Sequence, residues 1–152
     1  MMLARLLRSL TRLRIQPQIG RVHALLLRRA RRRLRRSRIL AGGQPVLALT
    51  TVGRRSGMPR STVVAYLRYG DAYVAAALNL GSDTDPGWAL NLRAEPSASI
   101  EVDGERRAVR ARQAEGREAE GLWAALIDRL PAIRRARRLA RRDVPMFVLE
   151  PL

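Results

Sequence analysis

The sequence contains no cysteine, a single histidine and few aromatic residues. Without cysteine the chain has no disulfide framework, no thiolate metal site and no cysteine nucleophile. His23 alone cannot make a histidine-rich zinc site. One Phe, three Tyr and two Trp are too few for an aromatic platform that stacks single-stranded bases. A hydrophobic content of 47% is too high for a disordered chain and fits a globular protein.

Acidic residues are absent from the first 70 positions, which is the strongest bias in the sequence. The chain has 30 basic residues, all arginine, and 13 acidic residues, for a net charge of +17. Because the first acid is Asp71, the whole surplus lies in residues 1–70, and 13 arginines fall within residues 1–38. A length of 152 residues favours one domain. We therefore expect a basic segment at 1–43 and a domain at 44–152.

The amino-terminal segment has leucines at helical spacing from Leu3 to Leu13, and a second helical run extends from Val22 to Leu34. Arginine interrupts both runs, so neither provides the roughly 20 apolar residues of a membrane-spanning helix, and a secretory signal fits poorly. Basic amphipathic helices bind anionic membrane surfaces, bind nucleic-acid phosphates nonspecifically, target organelles, or pack on a domain with a solvated basic face. The pattern favours the membrane surface and leaves the other three roles open.

Beyond Pro45 the apolar residues follow the two-residue period of strands. Strands are predicted at 46–51, 61–69, 72–78, 97–102, 106–113 and 144–149, and helical segments at 88–94, 118–130 and 131–142. Adjacent strands joined by short turns indicate a mostly antiparallel α+β protein or a small barrel. The glycine-rich fingerprints of Rossmann and P-loop proteins do not occur in the sequence.

The segment from Thr50 to Arg60, TTVGRRSGMPR, is the sharpest candidate site. Its two glycines allow tight backbone paths whose N–H groups can face an anion. Its three arginines supply guanidinium groups that match phosphate and carboxylate oxygens. In an arginine-rich chain the same loop could also be an ordinary solvated turn.

Three motifs in order, T-x-G-R-R-S-G-x-P-R, P-G-W-A-L-N-L-R-A-E-P and a terminal V-P-M-F-V-L-E-P, make the chain resemble the deazaflavin-dependent nitroreductases. That family is also described as F420H2-dependent quinone reductases, and the resemblance covers residues 45–152. It implies an α+β split β-barrel like that of FMN-binding reductases. It also implies coenzyme F420, a deazaflavin with a phosphate and a polyglutamate tail, and hydride transfer to a quinone, nitro or enone acceptor.

The resemblance assigns binding residues position by position. The anionic part of F420 would be held by Arg54, Arg55, Ser56, Gly57, Met58 and Arg60. The deazaflavin would be lined by Ala76, Leu78 and Asn79, and the pocket closed by Trp88 and Asn91. Core packing is the structural alternative for Trp88, and a helix cap or a buried hydrogen bond is the alternative for Asn91. No metal site is predicted.

The resemblance names no catalytic acid, and Tyr66 is the nearest hydroxyl that could polarise an acceptor. The chain departs from the family pattern at 63–66, at 78–81 and at 130–134, where the tyrosines that well-studied members place over the substrate are missing. An apolar acceptor pocket lined by Leu78 and Ile133 would suit a lipophilic quinone.

We therefore expect a cytoplasmic enzyme bound peripherally to the inner face of a bacterial plasma membrane, with no specific nucleic-acid partner. Two alternatives stay open. The barrel could bind FMN in place of F420, or the chain could be a non-enzymatic basic module for anionic lipid or nucleic acid.

Overall fold

The computed structural model describes residues 44–152, and the predictions made for 1–43 lie outside the described residues. Three α-helices and a 3₁₀ turn occur in this part of the chain: α1 (Gly87–Ala94), α2 (Gly116–Arg129), α3 (Ile133–Leu139) and the turn Asn79–Gly81. The strands are β1 (Val46–Val52), β2 (Pro59–Ala65), β3 (Leu67–Tyr69), β4 (Ala72–Ala76), β5 (Ser97–Val102), β6 (Glu105–Gln113) and β7 (Met146–Pro151).

All seven strands belong to one antiparallel sheet in the order β2-β1-β5-β6-β7-β4-β3. Strands β2 and β3 lie at opposite ends of this order, yet only Tyr66 separates them along the chain. The two sheet edges must therefore meet, and the sheet curls into a barrel. At the junction the Tyr66 N–H donates to the carbonyl oxygen of Pro45 at 3.1 Å. Closure of this kind removes exposed sheet edges.

Two apolar clusters lie on opposite faces of the sheet. The first fills the barrel interior with side chains of β1, β4, β5, β6 and β7, and Ala89 and Leu92 of α1 complete it. The second lies outside the barrel, where α2 covers the outer face of β4 and β7 with Leu122, Trp123 and Leu126. Alternate residues of one strand serve different clusters, as the pleat of a strand requires.

The predicted antiparallel α+β barrel is confirmed, with strand and helix ends shifted by a few residues. The predicted single strand at 61–69 is two strands, because the chain bends at Tyr66 to pair with β1 on one side and β4 on the other. Helix α2 buries the face that its periodicity predicted. None of the helices within 44–152 is both long and apolar enough to span a bilayer.

Candidate functional site

A cleft of about 550 Å³ opens between the β1–β2 loop, β2 and the amino-terminal half of α1. The lining comes from distant parts of the chain: Thr51, Gly53, Arg54, Arg55, Ser56, Arg60, Ser61, Thr62, Asn79, Asp85, Pro86, Gly87, Trp88 and Asn91. Most of the residues predicted to bind the cofactor therefore meet in one place. These are Arg54, Arg55, Ser56, Arg60, Asn79, Trp88 and Asn91.

The β1–β2 loop has a fixed backbone path. Gly53 N–H donates to the Met58 carbonyl at 2.8 Å, and Gly57 N–H donates to the Gly53 carbonyl at 2.7 Å. A Cβ atom at Gly53 would lie 2.8 Å from the Ser56 hydroxyl oxygen and 3.0 Å from the Met58 carbonyl oxygen, so this position favours glycine. Gly57 has a φ of +66°, a left-handed conformation that glycine adopts without steric cost. The loop is thus held in shape while Arg54, Arg55 and Ser56 stay exposed.

Asn91 anchors this loop to α1. Its side chain is 5% exposed, and its Nδ2 donates to the Thr51 hydroxyl oxygen at 3.0 Å. Its Oδ1 accepts from the Arg54 backbone N–H at 3.1 Å and from the Arg54 guanidinium at 3.3 Å. The structural alternative, a buried hydrogen bond, is therefore present. The same bonds place Asn91 in the cleft wall and fix the base of the arginine loop.

Arg54, Arg55 and Arg60 form no ion pair with any carboxylate of residues 44–152. Other arginines of this part of the chain do pair with acids; Arg112, for instance, contacts two glutamates at 2.7 and 2.8 Å. Three guanidiniums around one cleft therefore carry positive charge that the described chain does not neutralise. Such a group binds phosphate or carboxylate oxygens with charge-assisted hydrogen bonds.

Asp85 lies in the cleft wall, and two arginines hold it. Arg93 contacts one carboxylate oxygen at 2.6 Å, and Arg142 contacts the other. Arg142 also donates to the carbonyl oxygens of Ala77 at 2.7 Å and Ser82 at 3.0 Å. The segment between β4 and α1 is thereby fastened to the chain just before β7. The sequence alone does not reveal this pair, because Arg142 is one of several arginines in its segment and lies 57 positions from Asp85.

Trp88 has two contacts of different kinds. It is half-buried, with its ring edge-on to Phe147 at a centroid distance of 5.5 Å, and it also lines the cleft. Core packing and a place in the site are therefore compatible for this side chain. Asn79 reaches the cleft from a left-handed position, with φ +46°, and its amide donates to the Thr84 carbonyl at 3.0 Å.

The structure does not bring Ala76, Leu78 and Ile133 to the cleft. Ala76 and Leu78 alternate with Tyr73 and Ala77, which face the barrel interior. They therefore lie on the outer side and pack against the cluster beneath α2, as does Ile133. The predicted acceptor pocket formed by Leu78 and Ile133 is part of this second apolar cluster.

Three other predicted residues also lie outside the lining of the cleft. Tyr66 packs against the barrel core, with its ring edge-on to Tyr73 at 5.3 Å. Gly57 and Met58 lie in the β1–β2 loop, and Met58 is half exposed. Tyr66 is thus not placed to polarise a molecule bound in this cleft, and Gly57 contributes through the shape of the loop.

The lining defines what the cleft can do chemically. Hydroxyls of Thr51, Ser56, Ser61 and Thr62 can donate or accept hydrogen bonds there. Within residues 44–152 no group of three or more metal-ligating side chains occurs. The cleft combines guanidiniums, hydroxyls and one indole, which suits a ligand with an anionic part and a flat ring.

Comparison with known proteins gives the family and the fold of the chain. A family model described as F420H(2)-dependent quinone reductase matches residues 13–151. An F420H(2)-dependent quinone reductase of Mycobacterium tuberculosis is 36% identical over 95 residues, which span 62% of this chain and 62% of that protein. The structure of an F420-H2 dependent reductase matches with a TM-score of 0.64 and 26% identity, over 70% of this chain and 94% of the other. A Listeria innocua protein assigned as a pyridoxamine 5′-phosphate oxidase matches in fold alone, with a TM-score of 0.51 and 15% identity, over 76% of this chain and 91% of the other.

Proposed function

The chain belongs to the F420H(2)-dependent quinone reductase family, and from this premise we propose that it is an oxidoreductase that uses reduced coenzyme F420. Its acceptor is a quinone-like molecule, with nitro and enone compounds as the other candidate acceptors. When bound, reduced F420 supplies the hydride; the protein binds, orients and excludes water.

One observation carries the proposal: three guanidiniums surround the cleft without a carboxylate partner among residues 44–152. F420 carries a phosphate and a chain of glutamates, so its tail presents the oxygens that such groups bind. FMN also carries a phosphate but no glutamate chain. The three arginines therefore suit a tail that carries several anionic groups.

Different residues of the cleft would bind different parts of the cofactor. Arg54, Arg55, Ser56 and Arg60 bind the anionic tail, and the bonds from Asn91 keep Arg54 in place before the cofactor arrives. Such preorganisation lowers the entropic cost of binding.

Trp88 and Asn79 line the cleft and would hold the flat ring of the cofactor, whereas Ala76 and Leu78 face the cluster beneath α2. Ser61 and Thr62 line the same cleft, and their hydroxyls would donate hydrogen bonds to an acceptor oxygen there.

The site of action is part of the proposal. The acid-free segment with 13 arginines in residues 1–38 would bind the anionic inner surface of a bacterial plasma membrane. A lipophilic quinone dissolves in that membrane, so peripheral binding would bring the cleft to its acceptor.

The cofactor is tested by titrating the full chain with F420 and with FMN, followed by cofactor fluorescence. We expect F420 to bind more tightly than FMN. Arg55→Ala or Arg60→Ala should raise the F420 Kd about tenfold each, the cost of one charge-assisted hydrogen bond. Arg110→Ala is the matched control, since Arg110 is an exposed arginine of β6 outside the cleft lining.

Three results would contradict the proposal. They are an absence of F420 binding, tighter binding of FMN, and equal losses from Arg110→Ala and the two cleft variants. The location is tested separately by co-sedimentation with anionic vesicles, using the chain in which the eight arginines between positions 28 and 38 are glutamine. If this variant sedimented with the vesicles as the native chain does, these arginines would not form the membrane contact.

A further inference from the structure

Two leucines of the described chain are exposed on elements that contact each other. Leu80, in the 3₁₀ turn, is 102% exposed and Leu139, at the end of α3, is 59% exposed. Gly81 joins the turn to α3, because a Cβ built at Gly81 would lie 3.4 Å from the Leu139 Cβ and 3.3 Å from the Ala136 carbonyl oxygen. Single exposed leucines are common on protein surfaces, and what distinguishes these two is the positive charge beside them.

The turn that presents Leu80 is held firmly. Leu80 has a φ of +55°, which costs backbone energy for a residue with a Cβ atom. Gly81 N–H donates to the Leu78 carbonyl at 2.9 Å, and Ser82 N–H donates to the Asn79 carbonyl at 3.0 Å. The chain thus maintains an unfavourable conformation that keeps a large apolar side chain out of its own core.

Arginines are concentrated in the segment that contains Leu139. The segment 129–142 contains seven arginines and no acid. Arg137 stacks on Trp123 at 4.3 Å, and Arg142 pairs with Asp85. No carboxylate of residues 44–152 pairs with Arg134, Arg135 or Arg138, and all three are exposed on α3. Arg135 lies one helical turn before Leu139 and so shares its face.

We propose that four residues, Leu80, Leu139, Arg135 and Arg138, form a basic–apolar patch that docks the barrel on an anionic phospholipid surface. The guanidiniums contact lipid phosphates while the two leucines enter the boundary between headgroups and acyl chains. Charge complementarity selects an anionic surface, and the leucines select a bilayer over nucleic acid, whose phosphates offer nothing to an aliphatic side chain.

Docking by this patch would also orient the cleft. Leu80 follows Asn79 directly, and Asn79 lines the cleft, so a bilayer at Leu80 lies beside the cleft wall. An acceptor dissolved in the membrane would then enter without crossing water, an advantage that rests on the proposed quinone reduction. The docking itself requires no cofactor and can be measured without one.

A position-specific probe separates this patch from the basic segment at 1–43. Because the chain has no cysteine, Leu80→Cys gives a single attachment point for an environment-sensitive fluorophore. Leu152→Cys is the matched control, since Leu152 is 84% exposed at the carboxyl end. Each labelled full chain is mixed with vesicles of phosphatidylcholine alone or of phosphatidylcholine with phosphatidylglycerol.

We expect the probe at position 80 to shift to the blue and brighten several-fold with anionic vesicles only, while the probe at position 152 stays unchanged. Sedimentation of the protein with vesicles without a response at position 80 would overturn the proposal, as would an equal response to uncharged vesicles. A response at position 80 to duplex DNA but not to vesicles would assign the patch to nucleic acid and also overturn it.

A second variant removes the apolar part of the patch. It is the double variant Leu80→Asn, Leu139→Gln. Asparagine tolerates the left-handed conformation at position 80, so the variant should fold normally. We expect its partition onto anionic vesicles to fall about tenfold. The F420 titration and the melting temperature should stay unchanged. If F420 failed to bind the native chain while the probe at position 80 still responded to anionic vesicles, the proposed activity would be refuted and the docking surface would remain supported.

Discussion

Replacement of Asn91 by alanine tests how the barrel fixes the arginine loop. The substitution removes three hydrogen bonds, one to the buried Thr51 hydroxyl and two from Arg54. It leaves the Thr51 side chain, which is 1% exposed, with a long contact of 3.4 Å to the Arg60 carbonyl. The loop therefore loses its link to α1, while the barrel core keeps its apolar side chains.

The magnitude follows from the burial of these bonds. A net contribution of about 1 kcal/mol for the buried bond to Thr51, together with smaller contributions from the two bonds of Arg54, gives a loss of about 2 kcal/mol in the free energy of unfolding. For a domain of roughly 100 residues this corresponds to a fall of about 10 °C in Tm. The F420 Kd should rise about fivefold, because Arg54 is no longer preorganised.

The assay is chemical denaturation of the full chain, with Thr51→Val completing a double-mutant cycle. Thr51→Val removes the hydroxyl that Asn91 contacts and preserves the side-chain shape. We expect a coupling energy of about 1 kcal/mol between the two positions. Gln113→Ala is the control, because the Gln113 amide contacts Arg93 at the exposed surface and should matter by less than about 0.5 kcal/mol.

Two results would refute this account of Asn91. One is a loss below about 0.5 kcal/mol for Asn91→Ala, which would mean that solvent replaces the bonds without cost. The other is additivity of Asn91→Ala and Thr51→Val, which would mean that the two side chains do not interact.

Three further changes test other parts of the site and its support. Gly53→Ala should cost about 1–3 kcal/mol and weaken F420 binding, because its Cβ would lie 3.0 Å from the Met58 carbonyl oxygen, a backbone atom, and would also displace the Ser56 hydroxyl; unfolding and titration measure both. Arg142→Ala should cost about 3 kcal/mol in denaturant unfolding, since it removes a largely buried charge partner and several hydrogen bonds. The Arg112 guanidinium lowers the pKa of the Glu118 carboxyl below its ordinary value of 4.5. That pair therefore stabilises the fold above this pH and ceases to do so as the pH falls through the lowered pKa. Glu118→Gln should flatten the acid side of the profile of Tm against pH.

Each of these changes has a matched control. Gly121→Ala, on the exposed side of α2, meets no neighbouring atom and has no left-handed backbone to strain, so it should not lower the free energy of unfolding. Arg134→Ala removes an exposed arginine without an ion pair among residues 44–152 and should leave unfolding nearly unchanged. Glu120→Gln should leave the acid side of the Tm profile intact. Equal effects of a variant and its control would contradict the corresponding prediction.

Much of the fold could be predicted because local periodicity reports which side chains are buried. The β1 run VLALTT and the apolar face of α2 are present where the sequence places them. The arginine loop could be identified because its glycines and guanidiniums are adjacent in sequence. Each of these features depends on neighbours within a few positions, and a linear pattern records such neighbours directly.

The end of β4 and the residues that follow it show where the spacing of apolar residues no longer predicts the structure. Ala76 and Leu78 have an alternating pattern, but alternation does not say which face meets the barrel interior and which meets α2. That choice depends on the register of β4 with β7, in which Val74 pairs with Val148 and Ala76 with Met146. The side chains of Ala76 and Leu78 therefore lie on the outer face of the sheet, outside the lining of the cleft.

The sequence by itself determined the strand and helix content, the placement of the surplus charge before Asp71 and the arginine loop. Only the tertiary structure decided that the sheet closes at Tyr66, that Asn91 reaches Arg54 across 37 positions and that Arg142 holds Asp85. The physical reason is that secondary structure follows local side-chain burial and backbone preference, whereas a site depends on which distant surfaces pack together. Barrel closure brings those surfaces into contact, and with them the free guanidiniums that give the cleft its charge.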